Sequence, residues 1–369
     1  MKLFWAFSSF EVGGAQRRFV SLAEELGSDF THIVTAMDGR YDAETLLGDN
    51  VSYNRCELPV CKGGFIAREN VTAFSAALGH HKPALLLTTN WGSIEWRVAN
   101  RGLKTPHLHC EDGFGPDEAI GVRNIKRDLA RRILFSRIPT GHERYAFMAP
   151  SSGLAKIFQQ GWGIPQKRIH LIPNGIDIAR FASATSTSGN DGIPVIGSVG
   201  AFRAEKRFDR LIRVFAALRK ERKVQLLLVG DGPERASLEA LVNELGIKSD
   251  VTFAGAMRDV RGPLAQMDIY AITSDTEQMP ISLVEAMAAG RPVVGADVGD
   301  VRLMLDPSNA DFVHSAEDEA SMVKSLLALL ENKERAAMVG AANAQKAAKE
   351  YSVDMMVQRY RKLFEKLTR

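Results

Sequence analysis

Cysteine is scarce. Cys56, Cys61 and Cys110 are the only three in 369 residues. An odd number does not make a disulfide framework, so the fold must rest on an apolar core, and a reducing cytoplasm suits it. Cys56 and Cys61 taken with His80 and His81 match no common zinc spacing, and no metal site is expected. Long apolar runs are missing too. None approaches the roughly 18 residues of a membrane span. Excess charge of one sign is also absent. The net charge of +3 is too mild to argue for nucleic acid as a partner. No G-x-G-x-x-G follows the first apolar run, which argues against a dinucleotide oxidoreductase. The opening MKLFWAFSSFEVGG has one Lys and no small-residue cleavage site, and it reads as a first strand rather than a signal peptide.

What is present is alternation. The length suggests two domains of ordinary size. Apolar runs and amphipathic stretches take turns through both halves, the pattern of two α/β layers. The most informative stretch is Glu277 to Pro292, EQMPISLVEAMAAGRP. It follows an apolar run, Asp268 to Ser274, that reads as a buried strand. Pro280 suits the first helical position, where a missing N–H costs nothing. Ile281 to Ala289 read as a short helix, with Gly290 as its left-handed stop and Pro292 beyond. Val293 begins another strand, which completes a parallel βαβ step.

The start of that helix is an anion site, because its first N–H groups are unpaired. Glu277 lies in the loop before it. Glu285 lies two turns in, and helical side chains lean toward the N-terminus. Two carboxylates beside a phosphate site make sense where each accepts hydrogen bonds from paired hydroxyls, as on a ribose or a hexose. The residues therefore point to a nucleotide-sugar pocket; an amphipathic helix with two solvated glutamates is the plainer reading.

Glu277-x7-Glu285 followed by AMAAGRPVV resembles the signature of the retaining glycosyltransferases of family 4. The resemblance implies a GT-B fold, two Rossmann-like parallel-sheet domains facing a central cleft. It implies that Glu277 holds the transferred sugar and Glu285 the nucleotide ribose. Further segments carry it. Ile172-Pro173-Asn174-Gly175-Ile176-Asp177 resembles the interdomain segment of the family, and Gly230-Asp231-Gly232-Pro233 a family turn. The stretch from Gly200 to Lys206 resembles the family's G-R-x3-5-K. Lys206 matches its Lys, while Ala201 stands where the Arg is usual and Arg203 offers a substitute. Cations here neutralise a leaving diphosphate, where charge grows in the transition state. A solvated helix entry is the bland alternative. Gln278 stands where the family often has Gly, and is expected with Met279, Pro280 and Ile281 along the donor site.

In the N-terminal half, Gly13-Gly14 opens a helix, Arg17 to Leu26. Paired glycines let a backbone approach a ligand closely, and the resemblance sets them facing the donor diphosphate, although a tight turn explains them too. Asn90 and Trp91 leave the end of a buried strand, Ala84 to Thr89, where α/β sheets bind ligands. They are acceptor-side candidates, or a helix cap and a packing Trp. Family members carry a His after the next strand. Either His109 or Asp112 fills that place here. His109 is the expected catalytic group, with Glu277 and Lys206, and Asp112 is expected on the acceptor side. A buried core histidine is the competing reading of His109.

Residues 122–137, VRNIKRDLARRILFSR, form a basic amphipathic stretch. Val122, Ile125, Leu129 and Ile133 share a face. Such a helix can lie on an anionic membrane, steer a phosphorylated acceptor, or simply be solvated. Residues 182–193 are polar and of low complexity, as in a linker. The expected domains are 1–168 on the acceptor side, 169–349 for the donor, and 350–369 as a helix crossing back. The expected protein is a cytoplasmic enzyme, peripheral to the membrane or free of it. It is a retaining hexosyltransferase that uses a UDP-, GDP- or ADP-linked sugar, an acceptor hydroxyl on a sugar or lipid-linked sugar, and no metal or other cofactor. A sugar-nucleotide epimerase or phosphorylase on the same fold, and a non-catalytic nucleotide-sugar sensor, are the alternatives.

Overall fold

Strand β1, Lys2–Phe7, is apolar on both faces. Leu3, Trp5 and Phe7 enter one core, while Phe4 and Ala6 enter another. Side chains alternate along a strand, so a strand covered on both sides is apolar throughout. The computed structural model describes residues 1–59, 66–113, 125–137, 144–182 and 192–369. Around β1 lie Thr31–Ala36 (β2), Tyr53–Arg55 (β3), Leu85–Thr89 (β4), His107–Cys110 (β5), Tyr145–Ala149 (β6) and Ile169–Leu171 (β7). They make one sheet in the order β3-β2-β1-β4-β5-β6-β7, every pairing parallel.

Helix Gly14–Leu26 covers one face of this sheet through Phe19, Leu22, Ala23 and Leu26. Helix Val353–Thr368 joins that core with Met356, Val357, Tyr360, Leu363, Phe364 and Leu367. These recur at helical spacing, and each aliphatic one contributes about 1.5–3 kcal/mol of burial. On the opposite face, helix Arg68–His81 sets Phe74 flat on Trp96, with ring centroids 4.1 Å apart.

The second unit repeats the plan. Val195–Val199 (β8), Gln225–Val229 (β9), Val251–Gly255 (β10), Ile269–Ile272 (β11), Val293–Ala296 (β12) and Val313–His314 (β13) pair in parallel, in the order β10-β9-β8-β11-β12-β13. On β11, Ile269 and Ala271 share a core with helix Phe208–Glu221, whereas Tyr270 and Ile272 share one with helix Ile281–Ala288. In both sheets the strand order reverses once, between β1 and β4 and between β8 and β11. At such a reversal the loops leaving the two strands diverge and open a crevice at their carboxyl ends.

The expected boundaries shift. β7 pairs with β6, so the first unit runs to Gly175 rather than ending at 168, and the second spans Ile176–Ser352. Val353–Arg369 belongs to the first unit. After β4 a tight turn, Trp91–Ser93, leads into a short helix, Glu95–Ala99. Pro280 caps its helix and Ile281 is the first helical residue. Residues 183–191 of the expected linker lie outside the described residues, as do residues 122–124 of the basic stretch.

The rest of that stretch is helical over Ile125–Arg132 and continues as a wider turn to Arg137. Leu129 and Ile133 are 57% and 42% exposed, as a surface helix requires, but one of the basic residues, Arg131, is 2% exposed. The reason is aromatic. The Arg131 guanidinium lies 5.2 Å from the ring centres of both Trp91 and Trp162, and Leu134 and Phe135 fill the core beside them.

Candidate functional site

The loops that leave β8 and β11 bring the central motif together. Lys206 ends the short turn Ala204–Lys206 after β8. Its Nζ donates to Glu277 Oε1 at 2.7 Å, although 71 residues separate them. The Ser274 hydroxyl donates to the same oxygen, also at 2.7 Å. Glu277 is thereby held through one oxygen, and Oε2 has no protein donor among the described residues. A carboxylate offers about four acceptor positions, so Oε2 is free to take a ligand hydroxyl while Oε1 stays anchored.

Glu285 lies two turns into helix Ile281–Ala288, half-buried. Both glutamates act on one hydroxyl. Tyr270, fully buried on β11, hydrogen-bonds with the Ser282 hydroxyl at 3.0 Å and faces the Val199 carbonyl at 3.3 Å. Burial first, and then the negative charges of Glu277 and Glu285, push its pKa upward. Tyr270 thus braces Ser282, in the first turn of the helix, from beneath. Arg203 is exposed and makes no ion pair among the described residues. It can meet an anion without first breaking a contact. Gln278 and Ile281 are half-buried at the same loop and helix start. Met279 is 7% exposed and sits in the apolar core, so its side chain is structural and only its backbone can meet a ligand.

The loops after β1, β4 and β5 form the counterpart in the first unit. Gly13 caps helix Gly14–Leu26 in an extended conformation. A Cβ on Gly14 would meet nothing within 4 Å, so that helix start borders open space. Asn90 takes a left-handed φ of 59°. Its amide donates to the Cys110 carbonyl and its Oδ1 accepts from the Asp112 amide, both at 2.9 Å. This ties the ends of β4 and β5 together. Asp112 pairs with Arg18, whose Nη2 donates to Oδ2 at 3.0 Å. Arg18 is 4% exposed and also reaches Asn174. Trp91 packs against Arg131 and edge-on to Phe135, which makes it a packing residue.

His109 does not reach the site. Its side chain has no exposure. Nδ1 pairs with the Thr88 hydroxyl at 2.8 Å and Nε2 faces Glu111 Oε2 at 3.3 Å. Phe135 and Phe147 flank the ring. Burial, above the opposing pull of Glu111, lowers its pKa. The expectation that His109 touches the reacting sugar is corrected: its side chain is a satisfied core histidine, and Asp112, two residues beyond the strand, pairs with Arg18. The alternation of side chains across a doubly buried strand leaves no polar face to betray this in advance.

Sequence reasoning also passed over Ser274, Tyr270 and Arg18. Tyr270 had a signal, a phenol inside an otherwise aliphatic strand, since a buried hydroxyl needs a partner. Arg18 had none, because its carboxylate lies 94 residues away.

Two family models match the chain. "Glycosyltransferase Family 4" covers residues 12–180 and "Glycosyl transferases group 1" covers 193–332. Among curated proteins, the chain is similar to the N-acetyl-alpha-D-glucosaminyl L-malate synthase of Bacillus anthracis, 28% identical over 54% of this chain and 54% of that protein. It is also similar to the D-inositol 3-phosphate glycosyltransferase of Nocardia farcinica, 30% identical over 68% of this chain and 58% of that protein. The matched part thus spans just over half the length of each. Among solved structures it resembles Anabaena Alr3699/HepE in complex with UDP, with a TM-score of 0.82 and 19% identity over 99% of this chain and 100% of that one.

Proposed function

The chain belongs to the family 4 glycosyltransferases and has their GT-B fold, and from that premise we propose that it moves a sugar from a nucleotide-diphosphate donor to an acceptor hydroxyl with retention at the anomeric carbon. One observation carries the reading. Glu277 is anchored through Oε1 by Lys206 and Ser274, with Oε2 open beside a helix start and at the reversal point of the second sheet. In this reading Oε2 accepts from a hydroxyl of the transferred sugar, and Glu285 accepts from the ribose hydroxyls. The leaving diphosphate gains negative charge as its bond to the sugar breaks. Lys206, Arg203 and the N–H groups at Ile281 stabilise that charge in place, which is worth more than any solvent response. These cations belong to the chain, and no metal step is invoked. In the second unit Gln278 selects among sugars; in the first, the helix start at Gly13 and Gly14 suits a phosphate, and Asp112 with Asn90 addresses the acceptor.

The names of the two curated relatives suggest a small hydroxylated acceptor, and a lipid-linked sugar is compatible with the same chemistry. Helix Ile125–Arg132 supports a place at the cytoplasmic face of an anionic membrane. It presents Leu129 with the exposed Lys126 and Arg132, and Ile133 follows at its end. An interfacial helix combines apolar and cationic groups in this way.

The test is a thermal-shift and donor-hydrolysis panel of UDP-, GDP- and ADP-sugars, with and without EDTA, on the wild type and Glu285→Ala. Stabilisation by one nucleotide, unaffected by EDTA and lost in the variant, together with slow hydrolysis, is the expected result. No shift with any nucleotide would sink the donor site. For the membrane, the wild type should sediment with phosphatidylglycerol vesicles and a Leu129→Ser/Ile133→Ser variant should not; equal sedimentation would remove the helix from the reading.

A further inference from the structure

Arg207 stands in the left-handed region, with φ 50° and ψ 46°, although it carries a Cβ. A bulky residue keeps such a conformation only where its surroundings hold it, and such residues gather at functional sites. Two carboxylates hold this one. Nε and Nη2 donate to Asp209 at 3.0 and 3.1 Å, and Nη1 donates to Asp275 at 3.0 Å. Arg210, 4% exposed, donates to the other oxygen of Asp275 at 2.7 Å and to the Thr273 carbonyl at 2.6 Å. The Thr273 hydroxyl donates back to the Arg207 carbonyl at 3.0 Å, and the Asp275 amide donates to the Glu205 carbonyl at 2.9 Å.

The loop after β8 and the loop after β11 are thus tied along one edge. Lys206 and Glu277 lie next to that edge, one and two residues from the tie, and meet at 2.7 Å. The left-handed turn at 207 separates the short turn Ala204–Lys206 from helix Phe208–Glu221. The direction in which Lys206 leaves the backbone therefore depends on it.

The charges say what this cluster is for. Arg207, Arg210 and Arg213 are matched by Asp209, Asp275 and Glu319. A neutral cluster adds little net field at a diphosphate. What it supplies is geometry. We propose that Arg207 and Asp275 form a clasp that sets the position of Lys206 against Glu277, and that both act as positioning residues for cleavage of the sugar–diphosphate bond. The second half of this rests on the reading of Lys206 and Glu277 as donor groups.

The experiment uses full-length Arg207→Gly, Arg207→Ala, Asp275→Asn, Lys206→Ala and the Lys206→Ala/Asp275→Asn double variant. Arg207→Gly suits the left-handed backbone and removes only the clasp, which guards against simple misfolding. Two readouts are taken. Hydrogen exchange over 200–207 and 273–280, with a crystal structure of Asp275→Asn, reads the clasp without substrate. Hydrolysis of UDP-glucose, GDP-mannose and ADP-glucose, with binding of the matching nucleoside monophosphates, reads its consequence.

Faster exchange in both segments and a longer Lys206–Glu277 distance are expected. So is a kcat lowered about ten- to a hundredfold, the cost of a misplacement on the order of 1 Å, with monophosphate affinity unchanged. Asp275→Asn should add little to Lys206→Ala, because nothing is left to position. Unchanged kcat in Arg207→Gly, a full multiplicative loss in the double variant, or an unchanged distance would each overturn the proposal. If the wild type hydrolyses none of the three donors, the transferase reading fails instead. Exchange and the Lys206–Glu277 distance then still decide whether the clasp exists.

Discussion

Gly299 lies against the backbone of Glu277, so close that a Cβ there would overlap the Glu277 carbonyl oxygen. Its φ of 55° is also one that side chains rarely adopt. The loop after β12 thus fixes the backbone of the residue whose carboxylate Lys206 holds from the other side. Gly299→Ala should lower stability by more than about 1 kcal/mol and reduce donor hydrolysis with it. Thermal melts and hydrolysis rates check this. An alanine variant that melts and turns over like the wild type would show that the loop can yield without moving Glu277.

Lys206 serves both charge and geometry, and the two separate in a pair of variants. Lys206→Ala should cost about 10²–10³ in turnover, as removal of one preorganised donor to a developing anion does. It also leaves Glu277, 7% exposed, with Ser274 alone, at about 1–3 kcal/mol of stability. Adding Glu277→Gln should restore much of the stability and none of the turnover. Recovery of turnover in the double variant would mean that Lys206 acts only by neutralising Glu277.

His109 and Asp112 should part company. His109→Ala leaves the buried Glu111 carboxylate without its imidazole partner, while Thr88 keeps His107 at 2.7 Å, which should cost about 1–3 kcal/mol while turnover of the folded fraction stays near that of the wild type. Asp112→Asn should depress transfer to an acceptor more than hydrolysis of the donor. Transfer measured below the melting temperature of each variant decides. A His109 variant that is stable but inactive would return His109 to the reaction.

His32 should make stability pH-dependent. Trp5 Nε1 donates to His32 Nδ1 at 3.1 Å, so that nitrogen must be unprotonated. Burial, and secondarily the positive N-terminus, lowers its pKa from 6.5 to about 4. The folded chain then binds this proton less readily than the unfolded chain. The contribution is full above about pH 6.5 and is lost as pH falls toward 4, with a slope of up to about 1.4 kcal/mol per pH unit. Urea unfolding at several pH values should show a shallower acid decline in His32→Gln than in the wild type. Equal slopes would place the acid sensitivity elsewhere.

The helix stop at Gly290 was legible because it is local: the left-handed turn it was expected to make is there, at φ 71°. The short helix that carries Glu285, eight residues beyond Glu277, was legible for a similar reason, since its stop and its apolar run are local. The alternation of strands and helices was legible because doubly buried strands are apolar throughout. That same uniformity hid His109, because a strand with two buried faces does not say which way a polar side chain should turn. The basic stretch was legible only in part. Leu129 and Ile133 are exposed, as a surface helix requires, but Arg131, expected among its basic residues, is buried beside Trp91 and Trp162, 40 and 31 residues away.

Two kinds of information divide along that line. Periodicity, caps, turn residues and the spacing of a motif act within one element, where a few backbone angles set the distances, and they were enough for the fold class and for the helix after Glu277. The anchoring of Glu277 by Lys206, of Asp112 by Arg18 and of Asp275 by Arg207 joins residues 71, 94 and 68 positions apart. Those partners meet only because β8 lies beside β11, and because the loops after β1 and β5 emerge at the same end of one sheet. Strand order is a property of the whole packed sheet, settled by the burial of its two faces, and no stretch of chain short enough to read by eye contains it.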